Sequence, residues 1–313
     1  VHLEPCQQLA SASQKNHGDC HWQRPHDILV WLSGRLLTMA TQRNQCGATL
    51  IELIMVVAIL GVIAVVASVF IKAPVDAYVD SARRAALSDT ADTAMRRMAR
   101  DIRKALPNSA RIPNPQCLEF IPTKTAGRYR AAVDALSTGN ILNFLASDSS
   151  FNMLGLNDNF PAGQQIEVGD MVAVYNLGVS GANAYTGDNT SLVTAVDDGD
   201  GKETTITIVS KQFPIAPGGK RFYVVPAAEN IVAYVCDDDG NLRRTVRTFA
   251  DADATCPVDG PILASNVSNV APCKFVHDVS DLQRNEPMQL TIVFTDTGES
   301  ISLYHQVYQN NWP

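Results

Sequence analysis

Histidine is scarce in this chain, and its distribution argues against an enzyme. Four of the six histidines lie in the first 46 residues, which leaves only His277 and His305, each isolated in strand-like sequence. No G-x-S-x-G motif, no H-E-x-x-H motif and no glycine-rich phosphate loop occurs in the sequence. We therefore expect no catalytic residue, no cofactor and no metal, and a membrane-anchored enzyme is the least favoured alternative.

Basic residues are too few to suit a nucleic-acid partner. Residues 48–313 contain 21 Lys and Arg against 29 Asp and Glu, a net charge of −8. Such an acidic chain repels phosphates unless a basic stripe offsets the charge. The basic residues of this part cluster instead on one predicted helix. That basic face is either a solvated surface or a contact between subunits.

Cysteine is also infrequent after residue 47, where only four remain. They are Cys117, Cys236, Cys256 and Cys273. An even number without C-x-x-C spacing predicts two structural disulfides in an oxidising compartment and argues against redox catalysis. Three pairings are open. We favour Cys236–Cys256, which encloses the predicted turn at Asp239-Gly240, together with Cys117–Cys273.

The first 46 residues lack a hydrophobic signal core and begin with Val1. A start at Met39 would give a short leader, residues 39–47, in which Arg43 agrees weakly with a cytoplasmic location. We then expect residues 1–38 to be an upstream over-extension of the reading frame or a disordered segment. This region also holds a possible zinc cluster, disfavoured by irregular spacing and the missing core. The cluster consists of Cys6, His17, Cys20, His21 and His26.

A long apolar run follows this leader. After Gly47-Ala48-Thr49-Leu50-Ile51-Glu52, nineteen uncharged residues extend from Leu53 to Ile71. This length is close to the roughly 20 apolar residues that a membrane-spanning helix needs. Glu52 stands at the start of the run, where an unpaired buried carboxylate would cost ~2.5–3.5 kcal/mol. The carboxylate therefore requires a partner.

The stretch Gly47–Ile71 resembles the class III leader and first helix of type IV pilins and type II secretion pseudopilins. The resemblance implies cleavage by a prepilin peptidase after Gly47, N-methylation of Ala48 and an assembly role for Glu52. Ala48 departs from the family, which usually has Phe at this position. The freed amino group of Ala48 would lie one helical turn from Glu52 and could neutralise it, within one chain or between neighbours.

Two further segments, Asp80–Ile112 and Gly298–Tyr308, are similar to the MshO-type minor pilins of the mannose-sensitive haemagglutinin (MSHA) pilus, and more loosely to J-type pseudopilins. This resemblance implies a minor pilin that joins a filament and helps initiate or cap it. The implied partners are the prepilin peptidase, other minor and major pilins, the inner-membrane assembly platform and membrane lipid. The implied location is the inner membrane of a Gram-negative bacterium with a periplasmic head, and the pilus after assembly. A pseudopilin of the type II secretion pseudopilus tip and a pilus-tip adhesin remain alternatives.

The helix is expected to continue beyond the membrane-spanning segment, residues 48–72, as an amphipathic spine over residues 73–106. Apolar residues recur there at three- and four-residue steps, as one buried helix face requires. They are Leu87, Ala91, Ala94, Met98, Ile102 and Ala105. We predict that Pro74 kinks the helix without ending it, that Pro107 stops it, and that Asp92 and Arg96 form an i,i+4 ion pair.

Residues 107–313 are expected to form a β-rich head, because short alternating segments are separated by turn residues. The predicted strands are Cys117–Ile121, Met171–Asn176, Thr204–Val209, Arg221–Val225, Ile231–Cys236, Leu242–Phe249, Met288–Thr295 and Ser300–Tyr308. The last two form the clearest hairpin. The fold class is therefore α+β, a long N-terminal transmembrane and amphipathic helix followed by a mainly antiparallel β-sheet head.

The segment Gly178–Gly201 is rich in Gly, Asn, Asp and Ser, and we predict a long loop there. At its end, Asp197–Glu203 superficially resembles a calcium-binding loop. It lacks the acid order and distant bidentate Glu of an EF-hand, so we favour a solvated turn over a calcium site.

Overall fold

The computed structural model describes residues 49–135, 138–199, 201–251, 256–270, 273–277 and 287–309. This part of the chain forms one long α-helix followed by fourteen β-strands, which confirms the predicted α+β class. Residues 1–48 lie outside the described residues. The expected leader, the Gly47–Ala48 junction and the cysteine and histidine cluster therefore stay predictions.

The helix, α1, spans Leu50–Ile102 and passes through Pro74 without a break. It ends in a turn at residues 103–104, so the prediction that the helix continues to Pro107 was wrong. The chain divides into two compact units, Val1–Ile63 and Ala64–Pro313. In the described part, α1 is the helix long and apolar enough to cross a membrane, and its apolar window is exposed over its whole length. Every large apolar side chain between Leu53 and Ile71 is likewise exposed.

Within the second unit, the predicted apolar face of α1 is buried, as the periodicity requires. Leu87, Ala91, Met98 and Ile102 are each at most 5% exposed, and Ala94 and Ala105 are buried with them. Met95 and Ala99 widen the buried stripe beyond the prediction. Full burial contributes ~1.5–3 kcal/mol for a side chain the size of Leu or Met, so this face fixes the helix to the head.

The strands fall into three antiparallel sheets. In chain order they are β1 (Arg111–Asn114), β2 (Cys117–Phe120), β3 (Thr125–Arg128), β4 (Asp148–Leu154), β5 (Met171–Ala173), β6 (Thr190–Asp197), β7 (Glu203–Lys211), β8 (Arg221–Val225), β9 (Ile231–Cys236), β10 (Leu242–Arg247), β11 (Ile262–Ala264), β12 (Cys273–Val276), β13 (Met288–Asp296) and β14 (Glu299–Val307). All eight predicted strands are present, and β8 and β9 have the predicted bounds.

The first sheet has the order β1-β2-β9-β10-β11 and packs against α1. Its central strand, β9, is buried at all six positions because both faces of the sheet are covered. The β9–β10 hairpin turns at Gly240, whose φ of +80° lies in the left-handed region that glycine adopts without strain. The predicted Asp239-Gly240 turn is thus confirmed.

The second sheet has the order β12-β13-β14 and completes the core around α1. Leu290, Ile292 and Phe294 of β13 are fully buried, whereas the intervening residues are partly exposed. The predicted hairpin is confirmed, but the β13–β14 register pairs Asp296 with Glu299, so each strand extends one residue closer to the turn than predicted.

The third sheet has the order β3-β8-β5-β6-β7-β4 and encloses a separate core around Phe151, Phe213 and Phe222. Strand β6 corrects the predicted loop over Gly178–Gly201, since it occupies an interior position between β5 and β7. Its Thr- and Val-rich sequence favours a strand, but turn-forming residues on both sides obscured that local preference.

Candidate functional site

Glu52 lies in the first turn of α1, where the helix itself supports a carboxylate. Its backbone N–H donates to the Thr49 carbonyl oxygen at 3.0 Å and, more weakly, to Thr49 Oγ1 at 3.4 Å. Thr49 and Glu52 have the S/T-x-x-E spacing of a capping box, and a negative charge is favourable at a helix N-terminus. The helix end therefore offsets part of the cost of placing Glu52 beside an apolar run.

The apolar surface of Leu53–Ile71 has no cover from the described part of the chain. Phe70 is 75% exposed and Leu53 is 61% exposed, and the intervening large apolar side chains are similar. A contiguous apolar surface of this extent marks a contact with lipid or with other apolar helices. The helix can thus serve as a membrane span, as the core element of an assembly, or as both in turn.

Two arginines of α1 hold the turn between β13 and β14. Arg84 donates from Nε and Nη2 to the two carboxylate oxygens of Glu299, at 2.6 and 3.1 Å. Arg83 Nε lies 3.7 Å from Asp296 Oδ2. The hydrogen bond and charge of Arg84 lower the pKa of Glu299. Sequence reasoning missed this pair because its members are 215 residues apart and neither lies in a motif.

The end of α1 is tied to the first sheet by a second charged network. Asp101 accepts hydrogen bonds from the Tyr234 hydroxyl at 2.7 Å and from Arg244 Nε at 3.0 Å. Arg244 also donates to both carboxylate oxygens of Glu229, at 3.1 and 2.8 Å. Burial, with the nearby Asp101 charge, raises the pKa of Tyr234, which stays a neutral donor. The Asp101 carboxylate is therefore already bonded to two residues of the head, Tyr234 and Arg244.

The remaining polar face of α1 and the turn directly after it carry a group of exposed cations. The predicted pair Asp92–Arg96 is confirmed, with Arg96 Nε 2.7 Å from Asp92 Oδ2. Beyond it, four exposed basic residues line a groove beside Asp101, and none has an ion-pair partner in the part of the chain that the structure describes. They are Arg97, Arg100, Arg103 and Lys104, hereafter the basic helix face.

The four cysteines after residue 47 form two disulfides, but the favoured pairing was wrong. The structure joins Cys117 to Cys256 and Cys236 to Cys273, with Cα–Cα distances of 5.9 and 6.2 Å. Cys117 lies opposite Val235 in the β2–β9 register. Successive side chains alternate between faces, so the next residue, Cys236, points to the opposite face. Cys236 therefore lies on the sheet face that packs against α1, where it bonds to Cys273. Cys117 lies on the other face and bonds to Cys256.

A buried carboxylate, Glu119, lies two residues from Cys117 on the same face of β2. Its side chain is fully buried and accepts hydrogen bonds from Arg111 Nε at 2.9 Å, from the Cys256 N–H at 2.9 Å, and from Arg247. Burial raises the pKa of Glu119, but these hydrogen bonds outweigh it and hold the pKa below its usual value. Cys117, Glu119 and Cys256 lie within metal-ligand distance of one another, yet both sulfurs are committed to the disulfide.

The acidic turn at residues 197–203 is braced by its own chain. Asp198 accepts from the backbone N–H groups of Asn157 and Asp158, at 3.1 and 3.0 Å, and from the Thr204 hydroxyl. Burial raises the pKa of Asp198, but these three donors lower it below its ordinary value. Asp198 therefore acts as a turn-closing acceptor within its own chain. The preference for a solvated turn over a calcium site stays a prediction.

Comparison with known proteins gives one match. The family model of the prokaryotic N-terminal methylation motif matches residues 42–68, which cover the end of the expected leader, Glu52 and most of the apolar run. Neither the curated proteins nor the solved structures contain a significant match to this chain.

Proposed function

We propose that this type IV pilin-like or pseudopilin-like protein is a minor pilin of the MSHA type, which joins a filament and helps initiate or cap it. The methylation motif at residues 42–68 supports a pilin-like subunit, and the resemblance of Asp80–Ile112 and Gly298–Tyr308 to MSHA minor pilins supports the finer role. The motif runs directly into an apolar helix segment that the described residues leave uncovered. Proteins with this motif are structural subunits, and we propose the same for this chain rather than an enzymatic role.

The proposed order of segments follows the motif. Residues 39–47 form the leader, which a prepilin peptidase removes after Gly47, and Ala48 becomes the methylated N-terminus. Residues 48–72 store the subunit in the membrane, residues 73–106 form the spine, and residues 107–313 form the displayed head. On assembly, apolar helices of neighbouring subunits replace lipid around Leu53–Ile71.

Glu52 has a proposed role in assembly through the amino group of Ala48. Pairing of the two opposite charges offsets the desolvation of each, either within one chain or between neighbours. The position of Glu52 supports this role, because Glu52 lies in the first turn of α1, at the helix end where the new N-terminus would lie, and its backbone N–H is bonded to Thr49. The proposed partners are the peptidase, other pilins, the assembly platform and membrane lipid.

An intact-mass measurement tests the pathway. The full chain is expressed with and without a prepilin peptidase, extracted from membranes and weighed, with Gly47→Arg as the uncleavable control. We expect a mass that begins at Ala48 and includes one methyl group only when the peptidase is present and Gly47 is intact. An uncut chain in both cases contradicts the proposal and favours a permanently anchored protein.

A gene deletion then distinguishes the pilus from the secretion machine. Loss of surface filaments with normal protein secretion supports the minor-pilin proposal. Loss of secretion with normal filaments contradicts it and favours a type II secretion pseudopilin. Binding of assembled filaments to glycans or to a surface, lost only with this subunit, would instead favour the tip adhesin.

A further inference from the structure

The basic helix face has more positive charge than the fold of the head requires. Arg97, Arg100, Arg103 and Lys104 extend over two turns, are all exposed and have no ion-pair partner among the described residues. Arg100 has the like-charged Arg97 one helical turn before it, an arrangement that weakens an isolated helix, and Arg103 and Lys104 follow directly after the helix end. Apart from the helix dipole, a solvated surface gains nothing from concentrating four like charges in this way.

The helix dipole does not account for the whole group. Cations are favourable near a helix C-terminus, but this effect fades beyond the last turn. Since α1 ends at Ile102, the dipole reaches Arg100 and not Arg97. The nearby acid Asp101 cannot neutralise the group, because it already accepts from Tyr234 and Arg244.

Lipid headgroups cannot be the partner of this face. Twenty-six residues separate Ile71, the end of the apolar run, from Arg97 along the continuous helix. At ~1.5 Å per residue this distance is about 39 Å, several times the Debye length of ~8 Å at physiological ionic strength. With the helix along the membrane normal, the charges lie beyond the electrostatic reach of the membrane surface.

Charge complementarity indicates an acidic protein surface. Residues 96–104 carry five basic residues and one acid, a net charge of +4, whereas residues 107–313 carry 13 basic and 23 acidic residues, a net charge of −10. A nucleic acid or other extended polyanion would be repelled by the rest of this head. A compact carboxylate-rich patch on an adjoining subunit would meet the basic helix face without that penalty.

We propose that the basic helix face is a docking surface for a carboxylate-rich surface of a neighbouring pilin-like subunit in the filament. This inference rests on the proposed function, because it requires a filament. The contact fixes which subunit lies beside this one, since opposite charges set partner choice and like charges exclude wrong neighbours.

Two matched variants of the full chain test the docking surface. The first, Arg97→Gln/Arg100→Gln/Arg103→Gln, removes three charges from the face, and Gln is a good helix former. The control, Arg128→Gln/Lys220→Gln/Lys274→Gln, removes three exposed charges from the β-sheet head. Each variant replaces the wild-type chain in the native host, and the fraction found in sheared filaments is measured together with cleavage at Gly47.

We expect the face variant to be cleaved normally while its incorporation into filaments falls about tenfold, a factor that corresponds to ~1.4 kcal/mol of coupling. The control should match the wild type. Equal incorporation of the face variant and wild type would overturn the docking surface and leave the proposed function intact. A wild-type chain that is neither cleaved nor incorporated would overturn the proposed function, and the docking proposal with it.

Zero-length carbodiimide coupling of wild-type filaments gives a second readout. The reagent joins an amine to a carboxylate only when the two groups touch, and Lys104 is the one amine of the basic helix face. We expect a cross-linked peptide that joins Lys104 to an Asp or Glu of another processed subunit, lost in high salt. Coupling of Lys104 only to carboxylates of its own chain would contradict the proposal.

Discussion

Arg84 of α1 forms a bidentate ion pair with Glu299, the first residue of β14, at the tip of the C-terminal hairpin. The adjacent Arg83 lies within 3.7 Å of Asp296 on the other side of the same turn. The hairpin thus contacts the helix through charge at its tip and through Leu290 and Ile292 in its interior. The two kinds of contact respond differently to mutation and to pH.

Glu299→Gln should loosen the hairpin tip without unfolding the head, because exposed ion pairs contribute little to global stability. Hydrogen exchange at residues 295–300 should become faster, while the midpoint of denaturant unfolding stays unchanged. Asp238→Asn, on the exposed turn between β9 and β10, is the control. A large drop in global stability would contradict this view of the pair.

The same contact predicts a pH dependence. The pKa of Glu299 is lowered below its ordinary 4.5 in the folded protein. The stabilising effect of the pair is therefore complete above pH 4.5 and is lost as the pH falls through the lower folded pKa. Protection of the hairpin tip in wild type should decrease only in this acidic window, and Glu299→Gln should show no such decrease.

Glu119→Gln should destabilise the head strongly. The substitution leaves the buried Arg247 without its carboxylate, and breaking a buried ion pair typically costs about 3–5 kcal/mol. Glu229→Gln is the matched control, since Glu229 also pairs with an arginine but is more exposed, and its loss should cost ~1 kcal/mol or less. Denaturant unfolding measures both variants, and equal effects would contradict the assignment.

Disulfide mapping of Glu119→Gln tests the link between Glu119 and the Cys117–Cys256 disulfide, with Cys236–Cys273 as the internal control. Cys256 has a φ of +57°, uncommon for a residue other than glycine, and its N–H is bonded to Glu119. We expect wild type to yield peptides joined through Cys117–Cys256 and Cys236–Cys273. In Glu119→Gln, recovery of Cys117–Cys256 after refolding should fall while Cys236–Cys273 is retained.

Met98→Ala and Arg97→Ala test which face of α1 is buried. Met98 is fully buried among residues of the first and second sheets, and its truncation should cost ~2–5 kcal/mol. Arg97 is exposed, and its truncation should change the free energy of unfolding by less than ~0.5 kcal/mol. Thermal unfolding of the two neighbours decides the point, and similar losses would refute the burial pattern.

Glu52→Ala should uncouple processing from assembly. The chain should still be inserted and cleaved at Gly47, because the peptidase acts on the leader side of the junction. Without its carboxylate partner, the buried N-terminal charge costs ~2.5–3.5 kcal/mol, which corresponds to a roughly hundredfold loss of filament incorporation. Asp76→Ala, on the exposed part of α1, is the control. A Glu52→Ala chain that assembles normally would refute the pairing role.

Local periodicity made much of the fold predictable. The buried stripe through Leu87, Met98 and Ile102 follows from a 3.6-residue period, and the alternation of β13 from a two-residue period. Strand β6 was missed because turn-forming residues flank a short β-branched segment. Such a pattern can be recognised within a single segment, because it depends only on which face of that helix or strand is buried.

Long-range pairs were not predictable in the same way. The disulfide partners depend on the register between β2 and β9, which no single segment encodes. The Arg84–Glu299 pair and the Glu119 cluster join residues that are distant in sequence. At the N-terminus, by contrast, the methylation motif at residues 42–68 is contiguous, so the sequence alone was sufficient to find it.

The Cys117–Cys256 disulfide also determines how the head would carry mechanical load. Every strand of the six-stranded sheet, from Thr125 to Val225, lies between these two cysteines in the chain. Once the direct contacts between the helix and the C-terminal hairpin are broken, tension between them is transmitted across the sulfur bridge and bypasses that sheet. If the protein is pulled within a filament, the helix and the second sheet would then bear the force. The six-stranded sheet would bear none of it and would stay folded.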